Sequence, residues 1–440
     1  MKRTPFIFSI LVFASLADAQ QDWIRTGTGL GVEKVRLAAP GLKPANADPA
    51  LGPLLQTFNT TFWNDLDNAG IFEMVSKSFY PLQTPGSPPE MRLASWANDP
   101  ANAGMVAFGN LALQGQQCVM LGWLFDVKNS GSPQVLGKTY SDAAGDDGAR
   151  HLAHRFANDI IYRLGGAING ITLSQIAFIS SRSGHKELWL MDYDGAAQHQ
   201  LTRLNSISLS PRISPDGDRI AFVNFGKGVQ LAMFSVELNR TVAFPSFGGT
   251  NVTPAWSSDG RKLAFSSSMR GNPNIYVSDA SGANLRRITE GPGPDVSPVW
   301  NPKTNSQIAF VSGRSGLPQV YIIDADGANL QRMTDTGYAV SPSWSPNGQF
   351  LAFAWRRNYG PGAPGGQDIY IMDVATRQWV QLTHDSGLND FPSWSPDGRH
   401  IVYESRHGAR SEIWSMLADG SKARALTSSG NNSQPNWSFK

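Results

Sequence analysis

The chain has 440 residues, is 41% hydrophobic and 16% charged, and carries 44 glycines, 28 prolines and a net charge of +2. That balance excludes a disordered or collagen-like chain, allows two hydrophobic cores, and gives no compositional argument for a nucleic-acid or other polyanion-binding surface. A single cysteine, Cys118, excludes an internal disulfide.

Taken in chain order, the first signal is Lys2-Arg3, an apolar run from Phe6 to Leu16, and Ala17-Asp18-Ala19. This reads as a secretory signal peptide over 1–19 with an A-x-A cleavage site, leaving Gln20 first. The run is too short to span a bilayer comfortably, and no other stretch approaches about twenty apolar residues, so a membrane-embedded chain is not expected. Cleavage would remove two cations and one anion, leaving +1. Cys118 lies well inside the mature chain, where it cannot take a lipid at the cleavage site. Export without lipid or disulfide predicts a soluble periplasmic protein. Within Gln-Cys-Val-Met-Leu the thiol reads as a core residue rather than a reactive one.

Residues 20–168 are predicted to form a small α/β domain. Leu54, Leu55, Phe58, Phe62 and Leu66 have helical spacing over Leu54 to Ala69, stopped by Gly70. Met105 to Phe108, Cys118 to Val127 and Pro133 to Tyr140 read as strands. Gly148 to Leu164 reads as a second amphipathic helix with Leu152, Phe156, Ile160 and Ile161 on one face. Gly165-Gly166 is the expected joint to the second domain, 169–440.

That second domain repeats. Copies of a proline, a spacer and usually a tryptophan begin at Pro211, Pro254, Pro298, Pro342, Pro392 and Pro435, at spacings of 43, 44, 44, 50 and 43 residues. This is the period of a four-stranded propeller blade. In the clearest copy, Pro392-Ser-Trp394 runs through Ser-Pro-Asp397-Gly398 into Ile401-Val-Tyr403; the turn residues preset a hairpin and the apolar run is the second strand. Third strands are aromatic and branched, as at Leu188-Trp189-Leu190 and Ile413-Trp414. Outer strands are expected to end at Leu201-Thr202, Ile288-Thr289, Met333-Thr334, Leu382-Thr383 and Leu426-Thr427. The outer half of the copy from Phe234 to Phe247 is blurred, and Ile213 replaces tryptophan in the first copy.

The second-strand signature occurs six times, from Ile176-Ala-Phe178 to Ile401-Val-Tyr403. The first has no Pro-x-Trp before it, and the last Pro-x-Trp, at Pro435, has no strand after it. The economical closure brings the C-terminal strand round to complete the blade begun at Ile176. The fold class expected is an all-β six-bladed propeller, closed by the C-terminal strand and preceded by the α/β domain.

Chemistry is sparse. His151 and His154 are three apart on a predicted helix without a discernible third ligand, and read as surface polar residues near the joint. Asp192-Tyr-Asp194-Gly195 and Asp324-Ala-Asp326-Gly327 begin like calcium loops but lack the later acidic positions, so they read as hairpin turns. No metal site and no cofactor are predicted, and no pattern supports calcium in the channel. Gly360 to Gly366 reads as a tolerated loop insertion between the second and third strands of its blade. No Gly-x-Ser-x-Gly, P-loop or zinc-protease helix occurs.

The signal peptide, the α/β domain with Ser95-Trp96 and the His154 helix, and six Pro-x-Trp-Ser-Pro-Asp-Gly-type blades closed at Pro435-Asn-Trp437 together resemble the TolB family, over essentially the whole mature chain. The resemblance implies a non-enzymatic, monomeric periplasmic component of the Tol-Pal system. Such proteins dock the lipoprotein Pal on the propeller and offer an N-terminal segment to TolA, serving outer-membrane integrity and constriction at division; in some bacteria colicin segments borrow the same propeller site. Carried onto this chain, the docking rim comprises Thr250, Thr253, Asp295, Val296, Ser297, Val340, Ser341, Asn389, Asp390 and Phe391. The N-terminal segment comprises Gln20, Gln21, Asp22, Trp23 and Ile24, and departs from the family's usual stretch. Val296 and Val340 depart too, being apolar where a charged partner loop would prefer polar groups.

Two alternatives stand beside this reading. A secreted propeller enzyme acting on a polysaccharide, a lyase or glycosidase, needs paired carboxylates, for which the rim offers Asp295 and Asp390. A propeller that binds small ligands or sugars without turnover needs only a shaped mouth.

Overall fold

Each proline of the repeat sits just after a residue forced into a left-handed backbone. Ser210, Thr253, Ser297, Ser341, Phe391 and Gln434 have φ between 50° and 53°, and each immediately precedes the proline of its copy. Proline has no N–H to give to a ladder and is tolerated in a sheet only at an edge or a bulge. At all six places the register between the innermost strand and its neighbour shifts, so the pair bulges. The proline period is therefore a period of bulges along the inner edge of a ring.

The structure, a computed structural model, describes residues 28–31, 33–358, 366–384 and 387–439. The expected signal peptide, the segment Gln20 to Ile24 and most of the Gly/Pro-rich insertion lie outside the described residues. Innermost strands are Ser208–Ile213, Asn251–Trp256, Asp295–Trp300, Tyr338–Trp344, Leu388–Trp394 and Asn432–Trp437. Each heads a four-stranded antiparallel sheet, giving six blades. In the closing blade, here blade 1, Asn432–Trp437 pairs with Gln175–Ser180, followed by Glu187–Asp192 and His199–Gln200. Blades 2 to 6 then follow in chain order. The predicted closure holds: Asn432 faces Ser180 and Trp437 faces Ile176.

Outer strands are shorter than expected, two or three residues each, and stop before Leu-Thr. The threonine has a different task. In five blades its Oγ1 accepts the backbone N–H that opens the third strand: Leu188 to Thr202 (2.9 Å), Ile275 to Thr289 (2.9 Å), Val320 to Thr334 (2.9 Å), Ile369 to Thr383 (3.0 Å) and Ile413 to Thr427 (2.9 Å). Blade 2 has no such threonine, which is why its outer half is blurred in the sequence. Thr334 is buried and also donates to Gln319 Oε1 at 2.7 Å. Thr334→Val keeps the shape but strands both partners, which is expected to cost about 1–3 kcal/mol. A calorimetric scan should show a lowered melting temperature for Thr334→Val and a near-native one for Thr334→Ser.

The preceding domain is a five-stranded mixed sheet. Its strands are β1 (Val35–Pro44), β2 (Phe72–Met74), β3 (Met105–Gln114), β4 (Gln117–Asp126) and β5 (Gln134–Ala143), in the order β2-β1-β3-β4-β5. Helices α1 (Leu51–Asn68) and α3 (Asp146–Leu164) cover one face. Alternation along β3 and β4 sends Ala107, Leu111, Cys118, Met120 and Leu124 under these helices, while Val106, Phe108 and Phe125 face the buried Trp96 of the short helix α2 (Leu93–Ala97). Cys118 is a buried free thiol, as expected. A Cβ at Gly122 would lie 2.9 Å from the ring of Phe156, so glycine there lets α3 close onto the sheet. Among the described residues no helix is long and apolar enough to cross a membrane.

The two domains meet on one face of the ring. Innermost strands run from the mouth where they begin to the mouth holding their tryptophans, so the Ser-Pro-Asp-Gly turns and the Asp-x-Asp-Gly turns share the second face. There His400 Nε2 donates to the carbonyl of Asn68 (2.7 Å), Arg399 Nη2 to that of Gly165 (3.1 Å) and Lys422 Nζ to that of Asp67 (2.6 Å). The N-terminal domain thus rests on blades 6 and 1, leaving the mouth where the strands begin on the opposite face.

Candidate interaction site at the propeller mouths

At the mouth where the strands begin, alternate residues go to different work. Ser208, Asn251, Asp295, Asn389 and Asn432 are buried and tie the sheet together. Asp295, inaccessible to solvent, takes two bonds from Arg314 Nη2 at 2.9 and 3.1 Å. Asn389 Nδ2 donates to Asp368 and Thr383. The next residue in each strand, Leu209, Val252, Val296, Val340, Asp390 and Ser433, remains partly exposed at the inner edge. Four of the left-handed residues that follow stitch blade to blade: the Ser297 N–H reaches Thr253 Oγ1 (3.1 Å) and the Ser210 N–H reaches Gln434 Oε1 (2.6 Å), while the Phe391 N–H turns to Asp390 Oδ1 of its own strand (2.7 Å). Residues held at φ > 0 cost of the order of 1–3 kcal/mol each unless their surroundings fix them, and these inter-blade bonds are that fixing.

The expected rim therefore divides. Thr250 is exposed, and Val296, Ser297, Val340, Ser341, Asp390, Phe391 and Thr253 are partly exposed. Asp295 and Asn389 point into the sheet and have structural partners. The Thr253 hydroxyl accepts the Ser297 backbone N–H, so substituting Thr253 would disturb the ring as well as any docking surface. Leu209, Val252 and Ser433, which sequence reasoning passed over, occupy the same position in their blades as Val296 and Val340; counting two residues back from each proline would have found them.

Asp295 and Asp390, the two carboxylates that the rim offered to the enzyme alternative, do not come together. Asp295 is held by Arg314 in blade 4, whereas Asp390 stands two blades away. Burial pushes the Asp390 carboxyl above its ordinary range, against hydrogen bonds from Ser341, the Phe391 N–H and Gln367. Its cross-strand partner Glu404 is also pushed up, by burial, against a bond from Ser411 and with the charge of Asp390 adding to the rise. Glu404 is engaged by the Ser411 hydroxyl (2.6 Å) and the Gln434 N–H (3.2 Å).

At the domain joint the histidine reading needs correction. His151 is an exposed helix residue, but His154 is buried, at 3% exposure, because α3 lays it against α1 and the Asp192–Gly195 turn of blade 1. Its Nδ1 donates to Asp65 Oδ2 (2.8 Å), and the Tyr193 hydroxyl donates to the other oxygen of Asp65. His151 takes no part; Asp192 and Asp194 come up to His154 instead, and the three offer ligand atoms within 4.8 Å of one another. Arg150 already lies there, its Nη2 3.4 Å from Asp192 and 3.2 Å from Asp194, and serves as the cation of the cluster. Both Asp-x-Asp-Gly stretches are turns, as expected, closed by Gly195 N–H to Asp192 (3.0 Å) and Gly327 N–H to Asp324 (2.8 Å).

Burial works against a charged His154, yet the bond and charge of Asp65 and the charge of Asp194 outweigh it and hold the imidazole above its ordinary value. Burial raises the Asp65 carboxyl, against His154 and Tyr193. The pair therefore keeps its proton to higher pH than either group would alone. Asp194 is held below its ordinary range, burial being outweighed by Arg150.

Comparison with known proteins bears on this arrangement. A family model described as TolB beta propeller domain matches residues 162–363 and 335–440. A protein TolB homolog of Chlorobium chlorochromatii is 35% identical over 252 residues, covering 57% of this chain and 56% of that protein. The Tol-Pal system protein TolB of Desulfosudis oleivorans is 31% identical over 294 residues, covering 66% and 65%. The chain thus spans about half to two thirds of the length of these curated relatives. The crystal structure of TolB from Acinetobacter baumannii superposes with a TM-score of 0.75 at 25% identity, covering 92% of this chain and 97% of that one.

Proposed function

The chain belongs to the TolB β-propeller family, and on that premise we propose that it is the periplasmic, non-catalytic interaction component of a Tol-Pal system. In this reading the propeller docks a Pal-type lipoprotein at the mouth where the innermost strands begin. The segment Gln20 to Ile24 engages a TolA-type partner, and the whole serves outer-membrane integrity and constriction during division. One observation carries the reading. Six blades deliver a ring of partly exposed side chains, from Leu209 to Ser433, to the mouth opposite the N-terminal domain, on a backbone fixed by inter-blade bonds. A rigid, preformed rim pays little ordering cost on binding, and its mixed apolar and polar lining suits a protein loop. Asp295 and Glu404 are engaged by structural donors, which favours recognition over turnover.

The test is capture of envelope proteins from periplasmic and outer-membrane extracts by the intact protein, repeated with Val296→Arg and with Thr250→Arg. Neither residue takes part in the Thr253–Ser297 stitch. A Pal-type lipoprotein should be retained by the wild type and weakened more than about tenfold by Val296→Arg, at an unchanged melting temperature. Deleting residues 20–24 should remove capture of the TolA-type partner alone. Recovery of no envelope lipoprotein, or equal capture by the arginine variants, defeats the docking reading.

A further inference from the structure

The spacer of Pro-x-Trp is uncharged in five copies, as Ala255, Val299, Ser343, Ser393 and Asn436, and is arginine in the sixth, Arg212. That same copy is the one whose tryptophan is missing, replaced by Ile213. Both departures fall at the mouth where the innermost strands end. There a cavity of about 80 Å³ is lined by Arg212, Ser343, Ser393 and the tryptophans of the other five copies. Loss of one indole makes the room that a guanidinium fills.

Arg212 stands in this cavity without a counter-ion. Among the described residues no carboxylate pairs with it, and its hydrogen bond runs from Nη1 to the carbonyl of its own neighbour Pro211 at 2.8 Å. Burial alone pushes the guanidinium down to about 10. Arg212 keeps part of its surface exposed, so its charge is only partly withdrawn from water, but a cation in such a place is normally paired or given a ligand. The surrounding groups are donors as well. Ser393 Oγ accepts the Trp437 N–H (3.0 Å) and Ser343 Oγ accepts the Trp394 N–H (3.4 Å), so each hydroxyl proton is left to give. The buried indole N–H groups of Trp300, Trp344 and Trp394 also lack an acceptor.

We propose that this mouth is an anion-binding site that takes one carboxylate- or phosphate-sized group on Arg212, with Ser343 and Ser393 donating to its oxygens. The planar fork of arginine suits either oxyanion. The lining sets the class: it offers one guanidinium and two hydroxyls and no carboxylate, which suits a single small oxyanion. The site lies at the opposite end of the ring from the docking rim, so the two stand or fall separately.

Titration of the intact protein with inorganic phosphate, with acetate and with a short peptide ending in a free carboxylate, followed by tryptophan fluorescence, tests it. Phosphate alone acting would mark a free oxyanion as the ligand; acetate and the peptide acting would mark a carboxylate. The wild type should give a saturable change with at least one probe. Arg212→Met and the pair Ser343→Ala with Ser393→Ala should each weaken it, the first by about tenfold or more. In anion-free buffer Arg212→Met should melt no lower than the wild type, because it removes an uncompensated cation; an arginine with a merely structural role would give the reverse. No saturable response to any probe, unchanged binding by Arg212→Met, or a variant that melts well below the wild type overturns the proposal.

Discussion

Deleting residues 433–440 is expected to open the ring and abolish its cooperative melting. The deletion removes the innermost strand of blade 1, which continues the chain from blade 6 and pairs with Gln175–Ser180 to close the ring. Trp437, 2% exposed, packs in a cluster with Ile176, Phe178, Met191, Tyr193, Val402 and Ile413, so it joins the inner wall of blade 1 to blade 6. Its indole donates to Ser174 Oγ (2.7 Å), its backbone N–H to Ser393 Oγ (3.0 Å), and the Ser438 N–H reaches the carbonyl of Gln175 (2.8 Å). Truncating a buried tryptophan costs about 3–5 kcal/mol, against a total stability for domains of about 5–15 kcal/mol. Loss of the whole strand also bares the edge of Gln175–Ser180, an invitation to pair with another chain. Trp437→Ala should therefore lower the melting temperature by roughly 6–20 °C at about 2–4 °C per kcal/mol, while the deletion should aggregate on size-exclusion chromatography. A deletion variant that remains monomeric and melts like the intact protein would show that the ring does not depend on this strand.

The closure was legible in the sequence because propeller strands announce themselves locally. Pro-x-Trp, Ser-Pro-Asp-Gly and Ile-Ala-Phe each carry their turn or strand chemistry within a dozen residues, and counting them leaves one unmatched piece at each end. The threonine after each outer strand was visible as a period but not as a cap, since its partner N–H lies 14 residues earlier and its role is one of hydrogen bonding rather than pattern. The interior strand β1 was hidden for the opposite reason. Pro40-Gly41 in its middle reads as a break, and it is one: the register with β3 shifts between Ala38 and Gly41, where φ reaches +90°. The strand continues past the bulge because parallel partners on both sides, β2 and β3, hold it.

Site residues were legible to a smaller degree. Alternation along the innermost strand is what separates Asp295, turned inward onto Arg314, from Val296 beside it, and a resemblance carried over in blocks of consecutive residues does not separate them. His154 looked like surface because its spacing from His151 was the visible feature. Its real partners, Asp65 on α1 and Tyr193 in blade 1, are 89 and 39 positions away, and only the docking of two domains brings them together.

That docking carries the second large expectation. Asp65 is buried with two donors on it, His154 from α3 and Tyr193 from the propeller, and so pins three elements with one carboxylate. Asp65→Ala leaves a buried imidazole beside Arg150 and a buried phenol, each without its acceptor; removing one partner of such a group costs about 3–5 kcal/mol. Because the loss falls on the joint, it should appear first as protease cleavage between Gly165 and Gly170 and as separate melting of the two domains. The pH dependence has a definite sign. His154 is held above its ordinary value of about 6.5, so its contribution is fully present below that value and is lost as the pH rises through the raised one. The raised Asp65 carboxyl acts in the same direction, while Asp194, held low, contributes above the ordinary carboxylate range and is lost only in acid. The wild-type joint should therefore become more protease-sensitive from about pH 6.5 upward, and Asp65→Ala should be sensitive throughout with that slope flattened. A variant as resistant as the wild type, or a wild-type joint that tightens as the pH rises, would show that the Asp65–His154–Tyr193 contact does not couple the domains.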